Sequence, residues 1–201
     1  MIKDASEYRS LALENLKDKW TDAVVLTLVY GIVSCATSVG YVLALLLLPM
    51  SVGFENAFLS NARGNTDFSL PRLFDYFKDY ARVLLTQLLV ALYTLLWALL
   101  LIVPGIIKSF SYSMVPFILR DYPELKYDAA ITLSSNMMRG HKFDLFYLYL
   151  TFIGWSLLCI LTCGIGFFWL CPYVNQAKAL FYEDVRNEYE NALGSGYQAV
   201  D

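Results

Sequence analysis

Three apolar blocks, each too long for a single membrane crossing, constrain this chain more than any other feature. They run Ala23–Ala62, Val83–Leu119 and Leu145–Leu180, and they hold only three charged residues, Glu55, Lys108 and Lys178. As continuous helix such a block would reach about 55–60 Å, roughly twice the ~30 Å hydrocarbon core of a bilayer. Each has a turn signal near its middle: Thr37-Ser38-Val39-Gly40, Pro104-Gly105 and Thr162-Cys163-Gly164. The blocks therefore read as three helical hairpins and six membrane crossings. A soluble all-α domain is the competing class. It carries about 25% charged residues, whereas this chain has 16% charged and 58% hydrophobic residues. Segments such as Leu84–Val103 leave almost no polar face to turn toward water.

The expected fold is all-α and polytopic, with six transmembrane helices as three hairpins plus cytoplasmic amphipathic helices. The spacing predicts spans at Trp20–Cys35, Tyr41–Asn61, Val83–Val103, Ile106–Leu119, Leu145–Leu161 and Ile165–Phe181. Residues 1–190 read as one membrane domain and 191–201, with Gly194-Ser195-Gly196, as a mobile tail. The first 22 residues are charged, and the first apolar block far exceeds the ~7–15 residues of a signal-peptide core. The first span is thus expected to stay as an anchor.

Positive charge orients the hairpins. Of fifteen Lys and Arg, thirteen lie in four polar segments: Lys3 to Lys19, Arg63 to Arg82, Arg120 to Lys142, and Arg186. The three mid-block turns carry none. Six crossings put all four polar segments on one side, and the excess of Lys and Arg in cytoplasmic loops makes that side the cytoplasm. Both termini are then cytoplasmic. Lys108 lies about one turn from Gly105 and is expected to snorkel to the outer surface.

Two polar segments read as amphipathic helices. The first covers about 5–19, with Ser6 as N-cap and Tyr8, Leu11, Leu16 and Trp20 at helical spacing. The second covers about 123–139. Pro123 suits its first turn, Leu125, Ala129, Leu133 and Met137 form its apolar stripe, and Gly140 ends it. It is placed on the inner membrane face or as a cap on the bundle. Between the two, Gly64-Asn65 reads as a turn and Ser69-Leu70-Pro71 as the start of a short helix. Lys17, Lys19, Trp20, His141 and Lys142 are the candidate membrane-surface contacts.

The second helix of each hairpin contains a proline, Pro49, Pro116 or Pro172, expected to kink it. Polar residues follow on the cytoplasmic side of two of them: Glu55, Asn56 and Asn61 in one, Asn175, Gln176 and Lys178 in the other. Glu55, Asn56, Asn175, Gln176 and Lys178 are the candidate functional set. They line a cytoplasm-facing polar cavity or form an interhelical hydrogen-bond network. Glu55 needs a partner in an apolar setting. Lys178 is the best candidate, with Asn175 as a neutral alternative.

Most catalytic classes lack their residues. No phosphate-binding loop, dinucleotide fingerprint, HExxH or Gly-x-Ser-x-Gly occurs. One histidine excludes an ordinary His-based metal site. Cys35, Cys159, Cys163 and Cys171 all sit in apolar blocks, where cysteine behaves as a small hydrophobe. The scattered basic residues are explained by topology and do not point to nucleic acid. The chain reads as a non-enzyme with no catalytic residue, metal or cofactor assigned.

An ordered series of motifs carries a resemblance. Pro104-Gly105-Ile106-Ile107-Lys108, Tyr112-Ser113-Met114, Ala130-Ile131-x-Leu133-Ser134 and Met137-Met138-x-Gly140-His141-Lys142 are among them. So are Phe152-Ile153-Gly154-Trp155, Pro172-Tyr173 and Ala179-x-Phe181-Tyr182. From Trp20 to Arg186 the chain resembles the DUF975 family of bacterial integral membrane proteins. More distantly it resembles the membrane domains attached to some glycerophosphodiester phosphodiesterases. The resemblance implies a six-span protein of the bacterial cytoplasmic membrane with no established activity. The function expected is a non-catalytic membrane module that binds lipid or a partner protein. The alternative is a small-solute or lipid transporter or channel. Membrane lipids, a membrane protein partner or a second copy are the expected partners.

Overall fold

The computed structural model describes residues 2–37, 41–65, 68, 70–100, 102–162 and 164–194, which are helical with no strand among them. Ten α-helices are defined: α1 Ala5–Leu16, α2 Trp20–Thr37, α3 Tyr41–Ala62, α4 Tyr80–Leu100, α5 Ile102–Tyr112, α6 Val115–Asp121, α7 Tyr127–Met137, α8 Lys142–Thr151, α9 Ile153–Leu161 and α10 Phe167–Gly194. A 3-10 helix, Leu70–Phe77, lies against α3. In sequence order α2 packs on α3, α4 on α5, and α9 on α10, so the three expected hairpin pairings are present. α1 lies along α10 and α8.

Local chemistry sets several boundaries apart from their sequence-based positions. The N-cap of α1 is Asp4, not Ser6; the Asp4 carboxylate accepts from the Ser6 backbone N–H. α1 ends at Leu16 rather than near 19. Pro104-Gly105 is not the turn of the second hairpin but lies inside the first turns of α5. Gly105 has a different reason to be there. A Cβ on it would sit 2.7 Å from the Ala98 Cα, so α4 and α5 meet backbone to backbone. The turn expected at 37–40 falls largely on 38–40, outside the described residues, as do Cys163, Ser69 and most of the tail.

The segments expected as the fourth and fifth spans are each two helices. Ser113 and Met114 separate α5 from α6, and Pro116 stands in the first turn of α6. There its missing N–H costs nothing and its fixed φ favours helix, so it starts a helix where a mid-helix kink was expected. Phe152 separates α8 from α9. Pro49 and Pro172 do lie inside their helices, α3 and α10. α10 continues past 190 to Gly194.

The second amphipathic helix is shorter than expected, Tyr127–Met137, with Pro123 in the turn before it. Its buried residues are Ala130, Ile131, Ser134 and Met137. The stripe through Leu125, Ala129 and Leu133 is therefore rotated, and Ala129 is exposed. The physical reason is a neighbour on the other side: α7 packs into α4, α5 and α6, and the Ser134 hydroxyl donates to the Ser111 carbonyl at 2.8 Å. Gly64, Gly140 and Gly164 take positive φ (81°, 95° and 87°), which only glycine adopts without cost, and all three lie where the sequence puts turns.

The packed core forms where α1, α3, α6 and α10 meet. Tyr8, Phe58, Phe117, Phe181 and Tyr182 are its largest fully buried side chains. The Phe117 and Tyr182 rings lie 5.0 Å apart, and those of Tyr8 and Phe181 5.5 Å. Burying such a side chain contributes about 1.5–3 kcal/mol. The peripheral helices differ. Two stretches, Tyr80–Leu99 and Lys142–Leu161, are long and apolar enough to cross a membrane, and only 11% and 22% of them is buried.

Candidate functional site

The polar residues of α3 and α10 face each other across the core. Lys178 Nζ donates to Glu55 Oε2 at 2.6 Å and sits 5.3 Å over the Phe117 ring. Asn56 and Gln176 are buried. The Asn56 amide donates to the Val52 carbonyl of its own helix at 2.8 Å and to the Pro116 carbonyl at 2.9 Å, which ties α3 to α6. Gln176 Oε1 accepts from Asn61 at 3.0 Å, and Asn61 in turn accepts from Lys19 at 2.8 Å. Asn175 bonds back to the Cys171 carbonyl, one turn earlier in α10. Of the five candidate residues, Glu55 and Lys178 are thus joined directly. Asn56, Gln176 and Asn175 make separate bonds. Two buried atoms, Asn56 Oδ1 and Gln176 Nε2, have no partner.

A second cluster, one turn or so away, was not legible as a site. Asp121, the last residue of α6, receives a two-pronged contact from Arg63, with Nη1–Oδ1 at 2.7 Å. Tyr182 OH donates to it at 2.8 Å and Arg186 Nη1 at 3.0 Å. Glu183 completes a ring, accepting from Arg63 Nε at 2.7 Å and pairing with Arg186 at 3.2 Å. Two cations and two anions therefore close on one another. The planar guanidinium fork of Arg63 fits a carboxylate with two parallel bonds. Burial alone would raise the Asp121 pKa, but hydrogen bonds from Arg63 and Tyr182 outweigh it and hold the carboxyl below its ordinary value. Burial also opposes the Arg63 charge, and its two acidic partners reverse that, raising its pKa. The sequence signal was faint: each of these residues lies just past a span end, where charge is expected anyway.

Arg120 points the other way, into α3. It donates to the Asn56 carbonyl and to the Ser60 hydroxyl, both at 2.7 Å, and Arg72 donates to the same hydroxyl at 2.6 Å. Burial, together with the neighbouring Arg63 and Arg72 charges, lowers its pKa. These groups border a cavity of about 100 Å³ that also touches Asp75 and Tyr76.

The candidate surface residues separate. Lys17 is exposed, whereas Lys19 is taken up by Asn61. His141 stands between Asp144, at 3.3 Å, and Glu188, at 3.5 Å. Lys142 is half-buried, and Trp20 lines an apolar groove. Lys108 holds its ammonium over the rings of Trp97 (5.0 Å) and Tyr112 (5.9 Å). Among the described residues no three His, Cys, Asp or Glu side chains gather into a metal-binding group.

Residues 99–189 match the model of a family described as a protein of unknown function, DUF975. The similarity to DUF975 covers this region, a little under half of the chain. It runs from the end of α4 to Tyr189 of α10 and so includes Asp121, Gln176, Lys178, Tyr182, Glu183 and Arg186. The partners they meet on α3 and just after it, namely Glu55, Asn56, Asn61 and Arg63, lie outside it. A DUF975 segment thus supplies one side of both polar clusters, and the first hairpin supplies the other. No curated protein and no solved structure matches the chain.

Proposed function

We propose that the protein is a multi-pass, non-catalytic module of the bacterial cytoplasmic membrane that binds lipid or a partner protein. Its three hairpins would give six crossings, with both termini and the Asp121 cluster on the cytoplasmic side. One observation carries the reading: the apolar faces of the long peripheral helices point outward. Leu99 and Leu161 are 83% and 82% exposed, and Leu95, Leu157 and Ile160 more than half. Contiguous apolar surface of this extent in water is an aggregation hazard, but in a bilayer it is the expected lipid face. The polar clusters then act as interhelical fasteners rather than as a solute path, since Glu55, Asn56, Asn175 and Gln176 each bond a neighbouring helix or their own, with Asn56 Oδ1 and Gln176 Nε2 left over.

Membrane fractionation tests the first part. The protein should stay in the pellet through an alkaline carbonate wash and leave it only with detergent. Release by carbonate would contradict the reading. For the second part, protein isolated in mild detergent should retain a lipid or a protein partner. Solute flux above that of empty vesicles, after reconstitution, would favour the transporter alternative instead.

A further inference from the structure

The cavity of about 100 Å³ lies between α3, α6 and the 3-10 helix Leu70–Phe77, and Asn56, Arg72, Asp75, Tyr76 and Arg120 are among its walls. That volume equals about three waters at ~30 Å³ each, far below the ~300–1,000 Å³ of sites for whole small molecules. It suits one compact group. Two cations meet at its edge. Arg120 and Arg72 each donate Nη1 to the same neutral oxygen, Ser60 Oγ, at 2.7 and 2.6 Å. The two nitrogens therefore stand within about twice that distance of each other, where like charges repel.

Donors around this space are unspent. Arg120 commits only Nη1, to the Ser60 hydroxyl and the Asn56 carbonyl. Its Nε and Nη2 bond nothing among the described residues, and no carboxylate there pairs with it. That sets it apart from Arg63 and Arg186, which meet Asp121. The Tyr76 hydroxyl makes no hydrogen bond among the described residues either. Burial raises its pKa, which keeps it protonated and able to donate. Asp75, the acid in the wall, is exposed and pairs with neither arginine, so it marks where the cavity meets water. A half-buried guanidinium without a counter-ion is costly, and donors gathered in this way call for an anion.

Ser60 is two residues from the end of α3, about 3 Å. Arg120 is next to Asp121, which closes the ring with Arg63 and Glu183. In the three-hairpin topology this is the cytoplasmic end of the bundle, at the level of the inner headgroups. We infer that the cavity binds one phosphate group from the cytoplasmic side, held by Nε and Nη2 of Arg120 and by the Tyr76 hydroxyl, with Arg72 adding positive charge. The free edge of Arg120 takes two phosphate oxygens in parallel, and a third remains for the phenol. A carboxylate has only two oxygens, and the guanidinium edge alone would occupy both. The phosphate is either a free anion or the headgroup of an inner-leaflet lipid.

Protein in a neutral detergent is melted with rising inorganic phosphate, or with short-chain phosphatidic acid, against chloride at equal ionic strength. At least one of the two should raise the melting temperature saturably. A shift from inorganic phosphate identifies a free anion as ligand, and a shift from phosphatidic acid alone identifies a lipid headgroup. Tyr76→Phe removes a hydroxyl with no protein partner, so it should fold as the parent does and weaken binding about fivefold. Arg120→Gln should weaken it about tenfold or more, as charged hydrogen bonds exceed neutral ones. Arg139→Gln, at an exposed arginine outside the cavity, should change nothing. No saturable shift from either probe overturns the inference. So does an unchanged midpoint in Tyr76→Phe, since a shift that ignores the site is the general stabilising effect of phosphate salts. The site is read in detergent, so release of the protein by carbonate would sink the membrane reading and leave this result standing.

Discussion

In the interior, Phe117 packs on Tyr182 and Tyr8 on Phe181 at no more than a trace of exposure, and Glu55, Lys178, Asp121 and Arg186 find partners between them. On the periphery, Leu99 and Leu161 belong to helices more apolar than α10 and stand more than 80% exposed. The two regions differ in composition and, on the membrane reading proposed above, in solvent. The interior is built as in a soluble protein, with the buried charges of Glu55, Lys178, Asp121 and Arg186 permitted because each meets its opposite. The periphery is built inside out, and no rearrangement of soluble type would hide it. On that reading, charge neutralisation inside and lipid outside are two separate supports, and each can be removed alone.

The largest effect should come from Asp121→Ala. It leaves Arg63 and Arg186 with Glu183 as their remaining shared anion, and one-sided removal from a buried pair costs about 3–5 kcal/mol. Thermal unfolding in detergent should fall accordingly; a variant as stable as the parent would mean the ring is ornamental. Glu55→Gln strands the Lys178 ammonium and should cost about 3 kcal/mol by the same logic. Adding Lys178→Met should recover much of that loss, which a double-mutant cycle reads directly.

Leu95→Arg probes the periphery. On a lipid-facing helix it should cost about 2.5–3.5 kcal/mol of insertion and lower the membrane-integrated fraction. On a water-facing surface the same change would stay within about 0.5 kcal/mol. Gly53→Ala tests interior packing with no charge involved. Its Cβ would stand 2.7 Å from the Leu73 carbonyl oxygen and 2.9 Å from that of Arg72, and overpacking against backbone should cost about 2 kcal/mol. The smallest effect is in pH. Asp121 is held below its ordinary value of 3.8, so its contribution is complete above that pH. It is lost only as pH falls through the lower folded value. Stability measured from pH 7 to 5 should show no slope from Asp121, and Asp121→Asn, already less stable at pH 7, should lack the further loss that Asp121 gives in stronger acid.

What was legible in the sequence was local or repetitive. Overlong apolar blocks with central breaks announced hairpins, and Gly64, Gly140 and Gly164 fell at turns because only glycine takes their backbone angles cheaply. Pro116 was ambiguous, since a proline in an apolar run either kinks a helix or begins one, and nothing near Ser113-Met114 says which. The face of α7 was misplaced because Leu125, Ala129 and Leu133 make as good a stripe as Ala130, Ile131 and Ser134; the neighbours α4 and α5 decide between them. Glu55 was recognisable as needing a partner because it stands alone in an apolar block. Asp121 was not, because its partners lie 58 and 65 positions away and each looks like an ordinary charge at a span end.

The most direct test of the central claim is residue-by-residue accessibility from the two sides of the membrane. In a background with the four native cysteines replaced, single cysteines are placed at Lys3, Asn65, Glu124 and Asn191, and separately at Pro104 and Ile165. A membrane-impermeant thiol reagent applied to intact cells should label only Pro104→Cys and Ile165→Cys, with the other four labelled after permeabilisation. Labelling of Asn65→Cys or Glu124→Cys in intact cells, or protection of Pro104→Cys and Ile165→Cys until the membrane is opened, would contradict three hairpins closed on the outside.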